Sequence, residues 1–312
     1  MGACDFRAGS KVLESQRSST TGTLWLSCDT SILAGTISTR GGGVVVQGDA
    51  PHFIDKSGVI KVKGRKAGLV AIYLSQPRGN IFVSGQVIAQ SQAGPAPSHS
   101  LWATSGNIVV DPTALLRAAG TTAQTDNSFF SMEADDGVLF MNGQIRAKAA
   151  TGGWRVRLEA KQDVVLGPSA LIDAKATGSG AIIGVNSQLG QVTLQGPVSA
   201  SVSSIDTAAQ HGAHVGLCAR GDVLVDGATI DTSDGSFLGS IVVGAGGTAR
   251  AVRRAVRPRC FRILTATLSV SHISPGRCPG IAPGRRIRIG RAGCRRTTTE
   301  GLPRVGSGLR LE

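Results

Sequence analysis

Short apolar runs broken by turn residues recur along this chain. The clearest, "DVVLGPSALIDAKATG" (Asp163 to Gly178), returns as "DVLVDGATIDTSDG" (Asp222 to Gly235). Related phrases open near Leu24, Phe53, Ile81, Ile108, Val138, Val164, Val192 and Val223, with successive starts 29, 28, 27, 30, 26, 28 and 31 residues apart. Most units add a further apolar run after a Gly-containing break: "LVAIYLS", "WRVRLEA", "AIIGVNS", "AHVGLCA" and "SIVVGA". Each unit therefore predicts three short strands, as in Val164–Leu166, Ala170–Ala174 and Ala181–Val185. Turns are expected at Ser84-Gly85, Asp111-Pro112, Asn142-Gly143, Gly167-Pro168, Gly196-Pro197 and Asp226-Gly227, because Gly and Asn tolerate positive φ and Pro presets a bend. In "WRVRLEA", Trp154, Val156 and Leu158 alternate with Arg155, Arg157 and Glu159, so one set faces a core and the other water.

A period this steady indicates a repeat architecture. One three-stranded coil cannot bury its own apolar side chains, whereas stacked coils can, with equivalent residues aligned in columns. The pattern predicts an all-β parallel β-solenoid of about eight coils over residues 23–247, a rod of roughly 38 Å at ~4.8 Å per rung. Ile108, Val164 and Val223 should fall on one line along its axis. An antiparallel sandwich also spaces short strands regularly, but it does not repeat one phrase with this period.

Composition agrees with short strands: 43 glycines and 4% aromatic residues among 312. No window reaches eighteen apolar residues, so no transmembrane helix is expected. Residues 1–22 read as a leader or N-terminal cap; the opening "MGACDFRAGSKVLESQRSS" lacks the apolar stretch of a secretory signal. The net charge of +13 is concentrated at one end. Residues 248–312 hold fifteen Arg, no Lys and two acidic residues, and the remaining eighteen basic and eighteen acidic residues cancel. This Arg-rich tail breaks the repeat. It reads as an out-of-frame or largely disordered stretch, so that the chain is expected to be a fragment or a frameshifted product. The six cysteines include no CxxC, which supports neither a zinc site nor a redox pair.

Candidate chemistry is sparse. Asp173 and Asp231 occupy nearly the same place two units apart, about 9.6 Å along a rod. That is at the long end of the ~6.5–9.5 Å of inverting glycoside hydrolysis. Each follows an Ile at an alternating position, which points it to solvent instead. His211 and His214 sit in a Gly-containing loop with no third ligand, so no metal site is expected. "VIKVKGRKAG" carries Lys61, Lys63, Arg65 and Lys66, which could meet an acidic glycan or a phosphate backbone, or decorate an outward strand face. No catalytic, cofactor-binding or metal-ligating residue is assigned.

The phrases "GNIFVSGQVIAQSQAG", "QDVVLGPSALIDAKATGSGAIIGVNS" and "GDVLVDGATIDTSDGS" resemble the repeats of filamentous-haemagglutinin-like large exoproteins, the two-partner-secreted adhesins, across Thr23 to Gly247. The resemblance implies a right-handed parallel β-helix that is extracellular or on the cell surface, with an outer-membrane secretion partner. It implies attachment to a host or environmental glycan or cell-surface receptor, no specific nucleic acid, and no catalytic residues to carry over. The alternatives are a polysaccharide-acting hydrolase or lyase on the same fold, and anionic-polymer binding through the Arg-rich tail.

Overall fold

The structure is a computed structural model that describes residues 3–14, 23–28, 31–40, 43–49, 51–64, 71–91, 98–120, 129–149, 155–176, 181–202, 213–232 and 240–252. Among these residues every regular element is a β-strand, and the strands form three parallel sheets of ten, nine and nine. We call them sheets A, B and C, in the order in which the chain visits them. One coil runs through Val164–Leu166 in sheet A, Leu171–Ala176 in sheet B and Ile182–Ser187 in sheet C. The next coil repeats this with Val192–Leu194, Val198–Val202 and His214–Ala219. The chain is an all-β parallel solenoid.

Stacking is in register. In sheet A, Ile81, Ile108, Leu139, Val164, Val192 and Val223 pair in sequence along one inward column, so Ile108, Val164 and Val223 do share a line. All six are essentially inaccessible to solvent. Sheet B contributes Ile37, Ile60, Val87, Leu116, Ile145, Ile172 and Val198. Its second inward column is alanine at five successive rungs: Ala89, Ala118, Ala147, Ala174 and Ala200. Sheet C contributes Leu74, Leu101, Met132, Leu158, Val185 and Leu217. These side chains form one continuous core, and each rung lends its neighbour the apolar surface that a single coil lacks.

The rung tally and the phasing differ slightly from the sequence reading. Cys4–Phe6 and Lys11–Glu14 already pair with sheets A and B, and Ala249–Val252 extends sheet A at the other end. None of these strands carries the repeat phrase. Leu24 lies on the sheet C strand that closes the first coil, and the sheet A strand in its phrase, Ser31–Leu33, opens the next coil. His52, not Phe53, stacks under Ile81; Leu139, not Val138, stacks on Ile108. A one-residue slip on a strand exchanges its two faces. Phe53 accordingly points outward and His52 is buried. Arg155 and Arg157 are exposed while Val156 and Leu158 are buried, as the alternation predicts; Trp154 lies outside the described residues.

The turn glycines act for a different reason from the one expected. Gly227 does have positive φ, at 70°. Gly85 and Gly196 do not; a Cβ at either would collide with carbonyl oxygens of the preceding coil, Asp55 and Gly58 for the first and Ala170 for the second. Glycine is needed there because successive coils pack backbone on backbone. At the corner leading into sheet A, side chains complete the stack. Asn80 Oδ1 accepts from the Asn107 amide at 2.7 Å, and Asn107 Oδ1 accepts from the Val138 amide at 2.8 Å. Asp163 and Asp222 do the same for the amides of Gln191 and Thr248. Each supplies an acceptor where the ladder bends and a backbone donor would lose its partner.

A disulfide joins Cys4, on the first sheet A strand, to Cys28, just after the first sheet C strand, with Cα atoms 5.6 Å apart. It closes the first coil on itself. Their spacing, 24 residues, carried no pairing signal in the sequence.

Candidate interaction surface

The solenoid presents three outward faces, and their chemistry differs. Sheet A strands are mostly three residues long, so the outward face there is a single column: Ile32, Phe53, Phe82, Val109, Phe140, Val165, Thr193 and Leu224. It is apolar at seven of these eight rungs. The Phe53 and Phe82 rings stack with centroids 4.8 Å apart and planes 2° from parallel. Stacked in this way, they turn their edges to solvent and cover one another's faces.

Sheet C carries charges that are matched. Arg157 pairs with Glu159 in its own strand and with Glu133 one rung away at 3.4 Å. Glu159 also accepts from Asn186 Nδ2 at 3.1 Å and Gln188 Nε2 at 3.0 Å. Trp102 Nε1 donates to Asp135 at 2.7 Å. Arg157 and the two glutamates neutralise one another locally.

Sheet B is different. One outward column reads Lys61, Ile88, Arg117, Arg146, Asp173, Ser199, Asp231. The adjacent outward column reads Lys63, Gln90, Ala119, Lys148, Lys175. From strand Val59–Gly64 to strand Leu171–Ala176 the two columns hold six cations and one carboxylate. Arg117 stacks on Arg146, and Lys148 on Lys175, as direct ladder neighbours. Within the stripe and among the described residues, the ion pair formed is Lys175 to Asp173 at 3.2 Å.

The candidate residues fall as follows. Asp173 and Asp231 do share one outward column, separated by Ser199. Asp173 is held by Lys175, and its Oδ1 is buried without a hydrogen-bond partner. Lys61 and Lys63 lie on the outward face of sheet B; Arg65 and Lys66 lie outside the described residues. His214 opens a sheet C strand, half-buried, and desolvation lowers its pKa. His211 lies outside the described residues, as does the basic tail from residue 253 onward. No group of three or more metal-ligating side chains comes together among the described residues.

Sequence reading missed Arg117, Arg146, Lys148 and Lys175 as members of one surface. The signal was present: Arg117 and Arg146 are 29 residues apart and Lys148 and Lys175 are 27 apart, which is the coil period. It also missed two interior histidines. His52 Nε2–H donates to the Ser75 carbonyl at 3.1 Å, while its Nδ1 accepts from the Ser31 hydroxyl at 2.7 Å. His99 is fully buried beside the Phe130 ring, and its Nε2–H donates to the Arg117 carbonyl at 3.0 Å. Its Nδ1 has no partner, and burial lowers the His99 pKa to about 4. A carbonyl can only accept, so these partners place the proton on Nε2 in both rings.

Comparison with protein-family models, with curated proteins and with solved structures finds no match in any of the three.

Proposed function

We propose that the chain is a non-enzymatic structural and adhesive segment of a secreted or cell-surface exoprotein of the filamentous-haemagglutinin-like kind. In this reading it presents a rod-like surface to a glycan or cell-surface receptor and is exported with an outer-membrane partner. The observation that carries the reading is the unbroken register of three parallel sheets around one aliphatic core, which makes a stiff scaffold with long outward faces. The Cys4–Cys28 disulfide supports a location outside the reducing cytosol. The ion pair of Asp173 with Lys175 on an outward strand face favours a structural carboxylate over a general acid.

The competing reading, a polysaccharide hydrolase or lyase, draws on the shared column of Asp173 and Asp231, two rungs or ~9.6 Å apart. One experiment separates the two. The purified chain is immobilised and challenged with cells and glycan-coated surfaces, with soluble chain as competitor. Reducing ends are counted in parallel on acidic and neutral polysaccharides. Saturable, competable attachment without chain shortening is expected. Turnover that disappears in Asp173→Asn would overturn the proposal in favour of the enzyme.

A further inference from the structure

We infer that the outward face of sheet B is a binding stripe for a linear acidic polysaccharide lying along the rod axis, with Lys61, Lys63, Arg117, Arg146, Lys148 and Lys175 as its cationic contacts. This deepens the attachment reading and rests on it: it names the ligand class and the face that takes it.

The argument begins with charge segregation. Residues 1–247 carry no net charge, yet six cations and a single carboxylate occupy five successive rungs of one face. On sheet C the chain meets like charges with a counter-ion of its own, pairing Arg157 with Glu133 and Glu159. Like charges also meet there, Glu133 over Glu159, but Arg157 bridges them. On sheet B, Arg117 stands over Arg146 and Lys148 over Lys175, an arrangement that opposes stacking, and among the described residues Arg117, Arg146 and Lys148 form no ion pair. Edge protection does not account for them. Strands Val59–Gly64, Leu115–Gly120, Gln144–Ala149 and Leu171–Ala176 are interior to their sheet, paired on both sides, and have no free edge to guard.

The geometry then selects the ligand. The cations form two parallel in-register columns ~19 Å long at ~4.8 Å per rung, a linear track suited to an extended polymer. The guanidinium forks of Arg117 and Arg146 can engage two oxygens of a carboxylate or of a sulfate group at once. Within these columns the track offers Ile88 and Ala119, and the flanking column Leu115, which provide aliphatic contact for sugar rings. Among the described residues its outward positions carry no aromatic ring, and so lack the stacking platform that single-stranded nucleic acid uses.

The test uses the full chain. Binding to polygalacturonate and to chondroitin sulfate is measured across a salt series, with neutral dextran and an oligo-dT strand as comparators, for three proteins. These are the wild type, a face variant (Lys61→Gln, Arg117→Gln, Arg146→Gln, Lys148→Gln) and a tail variant of equal charge loss (Arg285→Gln, Arg286→Gln, Arg295→Gln, Arg296→Gln). The face variant is expected to bind one or both acidic polysaccharides about tenfold or more weakly, with a shallower salt dependence, while the tail variant changes little. The polysaccharide that responds distinguishes uronate from sulfate recognition. Single substitutions at Arg117 and Arg146 give the same reading if the fourfold variant fails to fold. Loss of binding in the tail variant alone, or tighter and equally face-dependent binding of oligo-dT, overturns the inference. The two failures are separable: attachment to other ligands without polyanion binding overturns the stripe and leaves the attachment reading, whereas shortening of polygalacturonate overturns the non-enzymatic reading whatever the face variant does.

Discussion

At the scale of single residues, the most consequential feature is an imidazole placed where an aliphatic side chain is the rule. His99 occupies the inward sheet C column between Ile72 and Phe130. Its neutral form is satisfied at Nε2, but the charged form would add a second donor at Nδ1 with nothing to receive it. Burial therefore lowers its pKa from 6.5 to about 4. The sign of the pH effect follows. Above pH 6.5 the ring is neutral in both folded and unfolded chains and costs nothing. As pH falls from 6.5 toward about 4, the unfolded chain takes the proton first, and stability is lost by up to about 3 kcal/mol. Below about 4 this group contributes no further loss. His52 and His214, also lowered by desolvation, act in the same direction. Denaturant unfolding of His99→Leu should show stability at pH 7 within about 1 kcal/mol of wild type. Its loss between pH 7 and 4.5 should be smaller by about 2 kcal/mol. An unchanged pH dependence would assign the acid sensitivity to other groups.

At the scale of elements, the sheet B ladder shows what small residues do in this interior. Five successive alanines, Ala89 to Ala200, fill one inward column, and each is buried. Such a column leaves room for a methyl group and little else. Ala147→Leu, at its centre, should destabilise by about 1–3 kcal/mol through overpacking, read as a lower denaturant midpoint with little change in slope. A stability equal to wild type would mean that the column has space the neighbouring rungs do not use. Elements of this kind were readable from sequence because they repeat. The Val164 and Val223 phrases fixed the fold, since aliphatic residues at a steady period have one economical way to be buried together. The phase of irregular rungs was harder to read. At His52-Phe53 the larger apolar side chain faces out and the imidazole faces in, contrary to the rule that apolar residues take the core. The candidate surface was half visible: Lys61 and Lys63 announce themselves as neighbours in sequence. Arg117, Arg146, Lys148 and Lys175 meet them only through pairing between rungs, so each is unremarkable until the period is applied to charge as well as to hydrophobicity.

At the scale of the whole molecule, stability is a sum of near-equal rungs joined by near-equal interfaces. Residues 108–138 span one rung: sheet A strand Ile108–Val110, sheet B strand Leu115–Gly120 and sheet C strand Phe129–Ala134. Removing all 31 brings Leu139 onto Ile81 and Gln144 onto Gln86, the partners that Ile108 and Leu115 now have. The shortened protein should keep its β-type circular dichroism and unfold cooperatively with a smaller denaturant slope, in keeping with the area lost. Removing only 108–120, which excises two strands and leaves the third, should abolish folding, because sheet C would then stand one step ahead of its companions. If both deletions folded equally well, the register described above would not be what holds the rod together.

The Asn, Asp and Gly corners that recur along the rod have one last consequence. Since each corner is built to meet an equivalent corner above and below, the chain can lengthen or shorten in evolution only by whole graduations, each ~4.8 Å of reach. Whatever is mounted at the two ends of such a ruler is set apart by an integer.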